Sequence, residues 1–111
     1  MAGPHPAWVR ACLQLCLLGV LEAEGPSYGY ALLTRLSSAG LGNVKPATLY
    51  PALARLAEEG AVEVQWAAGE AGPGRKYYLI TAEGRRRLED QRTAWKDFST
   101  TVTALTGGEG L

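Results

Sequence analysis

Histidine occurs once in this chain of 111 residues, at His5, and cysteine twice, at Cys12 and Cys16. One histidine in a proline-bearing N-terminal stretch and two thiols fall short of a structural zinc site, which takes four ligands. The thiols stand one helical turn apart, a spacing that an ordinary helix does not bring into disulfide geometry. They read as free cysteines of a reducing compartment. No nucleophile is paired with a base and no phosphate loop occurs, so catalysis, a metal and a cofactor are all unexpected. The longest unbroken apolar run is Leu15–Leu21, well short of a membrane span. The wider N-terminal apolar zone has no basic residue before it and is interrupted by Arg10 and Gln14, so it does not read as a signal peptide. The expectation is a cytoplasmic protein with no membrane partner. Eleven cations balance eleven acids, which excludes a uniformly basic coat.

What is present is organised by position. Acids are absent between Arg35 and Leu56, where Arg35, Lys45 and Arg55 fall. From Arg75 to Arg87 five cations face Glu83 alone. Segregated charge of this kind permits a basic face on a neutral chain. Hydrophobic residues make up 47% of the sequence, enough for one packed domain. A chain this small buries a modest fraction of its surface, so association would help it.

The spacing predicts a first helix over Ala7–Ala23, apolar almost all round and therefore in need of cover on every side. Gly25-Pro26 breaks the chain, Ser27 is placed to cap, and Tyr28–Ala39 reads as a second helix. A short Gly-Asn linker leads to Lys45–Gly60, with Pro46 at its first turn and Leu49, Leu53 and Leu56 as its apolar stripe. The opposite face (Ala47, Thr48, Tyr50, Pro51, Ala54, Arg55) is small, hydroxyl-bearing and free of acids until Glu58. Such a helix start suits a DNA major groove. Pro51 interrupts the helix without breaking its stripe. Ala61–Trp66 alternates, with Val62, Val64 and Trp66 on one face, and Arg75–Ile80 is a second strand. Between them AAGEAGPG reads as a mobile hairpin loop. Two helices at a steep angle followed by a hairpin make a winged helix.

A last helix, capped by Thr81 with Glu83 in its first turn, extends to about Leu105. Leu88, Trp95, Phe98, Val102 and Leu105 recur at heptad spacing along it, a seam for a second copy unless the helix folds back on its own domain. The fold class is mainly α with a small β-hairpin. A winged helix-turn-helix over 1–80 is followed by a C-terminal dimerisation helix over 81–106, with 107–111 expected to be disordered.

YGYALL in the second helix, PATLYPALARLAEEG in the third and GRKYYLIT closing the wing resemble the PadR family of transcriptional regulators. The match covers Trp8 to about Leu105, and the Thr-Leu-Tyr-Pro run, Pro51 included, is the family's usual form. The resemblance implies a dimeric winged-helix repressor of the short subgroup, with a single C-terminal helix. By similarity Thr48 and Tyr50 contact DNA from the recognition helix, and Arg75 and Lys76 from the wing. Lys45 and Arg55 join them in the present reading, over a pseudo-palindromic duplex operator. Tyr50 has a second reading, as a ring packed against the wing. Some drug-sensing members of the short subgroup carry a tryptophan matching Trp95 and bind flat, often cationic compounds there. That implies a planar aromatic effector held by Trp95, with Trp8 and Phe98 beside it. Glu89, Asp90 and Asp97 would favour a cation, and Trp95 as packing bulk is the alternative. A winged helix used only for protein–protein assembly is the competing function.

Overall fold

The structure, a computed structural model, describes residues 3–69 and 72–108. Helix α1 (Pro6–Glu24) starts with His5, whose Nδ1 accepts the Ala7 amide at 3.2 Å, and Pro6 occupies the first helical position. By length and composition α1 is a helix a membrane would accept. Its Leu13, Leu17, Leu18 and Leu21 are instead the centre of the protein's core. There follow β1 (Ser27–Tyr28), α2 (Gly29–Ser38), α3 (Pro46–Glu58), β2 (Val62–Gly69), β3 (Gly72–Ile80) and α4 (Ala82–Leu105).

The sheet has three antiparallel strands in the order β1-β3-β2, one more than the expected hairpin. Ser27 lies opposite Tyr78 and Tyr28 opposite Tyr77. This pairing holds both residues extended, so Ser27 does not cap α2. The cap position falls to Tyr28, which makes no side-chain capping bond, and the helix begins at Gly29 rather than Tyr28. β2 and β3 also run further than alternation alone indicates. Their register extends from Val62 opposite Ile80 to Ala67 opposite Arg75, with a bulge between Ala67 and Gly69. Most of the expected loop is therefore strand, and its tip, residues 70–71, lies outside the described residues. Burial fades along β2: Val62 is buried, Val64 half-buried, and Trp66 is 70% exposed. The alternation is right, but the hairpin projects past the core that its base covers.

Leu49, Leu53 and Leu56 of α3 are fully buried against α1, α2 and β2. Burying each such side chain contributes roughly 1.5–3 kcal/mol, which explains why α3 continues through Pro51 despite the lost amide. Gly60, at φ +77°, follows its end in the left-handed conformation that suits glycine. Thr81 then joins three elements. Its Oγ1 accepts the Gly84 amide at 3.0 Å and donates to the Gly60 carbonyl at 2.6 Å, and its own amide donates to the Ala61 carbonyl at 3.1 Å.

Leu88 corrects the heptad reading. It is 4% exposed and belongs to the chain's own core, so it is not open to a second copy. Equal spacing along a helix cannot distinguish a stripe covered from within from one covered by a partner, and α4 changes between the two after its second turn. Beyond Leu88 the remaining seam residues, Trp95, Phe98, Val102 and Leu105, are all exposed. At 1.5 Å per residue α4 is roughly 36 Å long, and it gives the molecule a 54 Å long axis against a shortest dimension of 21 Å. Two residues of the expected tail close this helix. The Gly107 amide donates to the Ala104 carbonyl at 3.3 Å and the Gly108 amide to that of Thr103 at 2.8 Å. Residues 109–111 lie outside the described residues.

Candidate nucleic-acid interface

The cations sort themselves by their partners. Arg35 pairs with Glu24 at 2.7 Å, Arg85 with Glu22 at 2.9 Å, Arg87 with Glu59 at 2.7 Å, and Arg86 with Glu83. Arg86 holds the Glu83 carboxyl below the usual carboxylate range. The dense basic run at 85–87 is thus directed at the protein's own acids. Among the described residues these salt bridges leave out Lys45, Arg55, Arg75 and Lys76, the four cations expected to meet DNA, as well as Arg10, Arg92 and Lys96.

Tyr50 leaves α3 on the flank toward the wing and lies over Gly29 at the start of α2. A Cβ built on Gly29 would fall 2.5 Å from its Cε1 and Cζ, and closer to its hydroxyl. Only a glycine lets the ring lie there. Tyr50 is nonetheless 45% exposed, so it is seated without being buried. It opens onto a cleft of about 540 Å³ that Tyr28, Tyr30, Arg75 and Lys76 also line. The Arg75 guanidinium stacks 4.2 Å from the centroid of the Tyr28 ring, which in turn meets Tyr77 edge-on at 5.5 Å. The Lys76 Nζ lies 5.5 Å from the Tyr78 centroid. Both cations thus line the same cleft, Arg75 over Tyr28 and Lys76 over Tyr78.

Tyr30, 71% exposed at the mouth of this cleft, was not singled out from sequence. The YGY run held the signal: with Tyr28 committed to the sheet, the second tyrosine has no apolar surface left to cover.

Thr48 is half-buried on the other flank of α3, in a cleft it shares with Lys45, Arg10 and the N-terminal prolines. Ala47, Pro51 and Ala54 form an exposed ridge between the two flanks. Arg55 stands in the last turn, roughly 15 Å along the axis from Lys45. The structure therefore unites Tyr50, Arg75 and Lys76, sets Lys45 and Thr48 across a smooth ridge from them, and leaves Arg55 at the far end.

The effector candidates meet elsewhere. Trp8 and Trp95 line one apolar groove of about 420 Å³ between α1 and α4, along with Cys12 and Cys16. Phe98 is a turn further along α4, its ring 6.4 Å from that of Trp95. Glu89, Asp90 and Asp97 do not line the groove, and the charged residue that does is Arg92. The acids expected to favour a cation therefore do not line this groove. Both cysteines are free and half-buried, and burial, followed by the neighbouring Cys12, pushes the Cys16 thiol up. Among the described residues no group of three metal-binding side chains occurs.

Three helices closed by a hairpin, with α3 presented beside the wing, define a winged helix-turn-helix protein. Residues 17–90 match the Transcriptional regulator PadR-like family, and the chain belongs to it. A PadR-like transcriptional regulator from Bacillus cereus is 37% identical, with a TM-score of 0.80 over 93% of this chain and 99% of that one. A PadR family transcriptional regulator from Eggerthella lenta is 33% identical, with a TM-score of 0.81 over 90% of this chain and 86% of that one. A PadR-like transcription factor from a Bacteroides is 31% identical, with a TM-score of 0.76 over 89% and 94%. A search among curated proteins returned no match. The protein is a transcription regulator of a DNA-binding family and not an enzyme.

Proposed function

We propose that this protein is a dimeric, cytoplasmic repressor that reads a pseudo-palindromic operator and is released by a planar aromatic effector. The observation that carries the DNA reading is the cleft beside α3. Tyr50 is held half-exposed there by Gly29, with Arg75, Lys76 and Tyr30 around it. The ridge of Ala47, Pro51 and Ala54 enters the major groove, with Tyr50 on one flank and Lys45 and Thr48 on the other. Arg75, Lys76, Tyr30 and Arg55 meet phosphates, contacts that set position rather than sequence.

Dimerisation is supported by the exposed stripe of Trp95, Phe98, Val102 and Leu105 on a helix that leaves its own domain. In a two-fold dimer the two recognition helices lie about one DNA turn apart, which makes the operator a pseudo-palindrome. The groove between Trp8 and Trp95 takes the effector.

Selection of duplexes from a random pool identifies the operator. On that duplex Tyr50→Ala should weaken binding by about 1–3 kcal/mol. Wild-type affinity for Tyr50→Ala across a salt series refutes the assignment. Sedimentation should give a dimer at micromolar concentration, and deletion of Thr93–Leu111 should give a monomer that binds weakly. The competing reading, a winged helix that only joins proteins, is favoured by a salt-insensitive partner and no duplex from the selection.

A further inference from the structure

Cys16 packs against the edge of the core and Cys12 lies outside it, and DNA binding uses neither thiol. Cys12 and Cys16 are one turn apart on one helix face, both half-buried, and both line the groove that holds Trp8 and Trp95. Side chains at this spacing have Cβ atoms roughly 5–6 Å apart. A disulfide needs about 3.8 Å between Cβ atoms, so this pair is too wide for a direct S–S bond. The gap suits a single atom placed between the sulfurs, with bonds of about 2.3 Å to each, the length of a zinc–thiolate bond. Among the described residues no third metal-binding side chain completes the pair. Any further bond to that atom must come from the ligand itself, and what the protein offers next to the thiols is indole.

We infer that the α1–α4 groove is a site for trivalent aryl arsenicals, with Cys12 and Cys16 as the two ligands and the aryl group lying beside Trp8 and Trp95. The inference rests on the reading of this groove as the effector site and names a chemical class for it. The condensation is balanced without a redox step. The two thiols attack an arylarsonous acid, two As–O bonds break as two As–S bonds form, and the thiol protons leave in two waters. Arsenic remains trivalent, now bonded to two sulfurs and the ring carbon. Of the four groups involved, Cys12, Cys16 and Trp8 are on α1 and Trp95 is on α4. A bound ligand therefore ties the two helices together at the point where α4 leaves the domain.

The test uses the reduced full chain and phenylarsine oxide. Intact mass should show one phenylarsenic unit per chain with loss of two thiol protons, and quenching of tryptophan emission should give the affinity. Cys12→Ser and Cys16→Ser should each weaken binding by at least tenfold, with the dimer retained. Phenylarsine oxide should bind at least tenfold more tightly than inorganic arsenite, and Trp95→Ala should narrow that ratio. Single-serine variants that bind like the wild type, or equal affinity for both arsenicals, overturn the inference. Operator release measured in parallel separates the two readings: one phenylarsenic held by both cysteines with no loss of DNA affinity supports the thiol site and refutes its effector role.

Discussion

Gly29→Ala isolates the seat of Tyr50 from the tyrosine itself. Gly29 is not among the residues at positive φ, so alanine fits its backbone. The obstacle is the ring, with Cε1 and Cζ 2.5 Å from the new methyl, where carbon atoms normally stand about 3.5–4.0 Å apart. The ring must therefore retreat by about 1 Å or more. Because it is the end of a two-torsion side chain, it does so by rotating outward while α2 stays in place. An off-rotamer ring costs about 0.5–1.5 kcal/mol. Alanine over glycine at a helix start returns up to about 1 kcal/mol. The stability change should thus lie between about 0.5 kcal/mol gained and about 1.5 kcal/mol lost. DNA affinity should fall by about 1–3 kcal/mol, the value of one specific contact, or roughly 5- to 150-fold. The assay is fluorescence anisotropy on the selected operator, with thermal unfolding of the same preparation. Wild-type affinity for Gly29→Ala, alongside a weakened Tyr50→Ala, would show that the seat is irrelevant. A loss of several kcal/mol in stability would show that the ring does not yield.

Gly84→Ala should behave in the opposite way, because its new Cβ would meet the Ile80 Cγ1 at 2.8 Å and the Ala61 backbone carbon at 3.0 Å, and backbone cannot rotate aside. Overpacking should cost about 1–3 kcal/mol in denaturant unfolding, against the helix-propensity trend. Arg75→Ala should weaken all duplexes alike and lower the salt slope by about one unit, read from anisotropy at several salt concentrations. Alkylation of Cys16 by iodoacetamide, followed by peptide mass, should lag behind a free thiol at mildly alkaline pH. It should catch up as pH rises, because burial raises its pKa and the thiolate is the reacting form.

The apolar stripes of α3, the Thr81 cap and the order of helices and strands were legible because each depends on local spacing. β1 was not, since two residues carry no periodicity and only their pairing with Tyr77 and Tyr78 makes them a strand. Leu88 was assigned to the right face of the right helix and the wrong neighbour, because spacing does not reveal what lies opposite. The roles of Gly29 and Gly84 were hidden for the same reason: each is a glycine because of a residue far away in sequence, Tyr50 in one case and Ala61 in the other. In the candidate interface, Tyr50, Arg75 and Lys76 could be named from the chain, whereas Tyr30 emerged only once its neighbour was seen to be taken by the sheet. That Glu89, Asp90 and Asp97 do not line the α1–α4 groove was not legible either, because spacing along a helix does not say which side chains reach a groove between two helices.

The two-residue strand β1 bears on how the wing can be edited. β3 is held on both edges at Tyr77 and Tyr78, by β1 on one side and β2 on the other. Residues added or removed between Gly69 and Gly72 would change the reach of the wing without disturbing the register that aims its base. If the wing meets DNA as proposed, its reach can therefore be retuned by editing one hairpin tip while α3 and the base of the sheet are left intact.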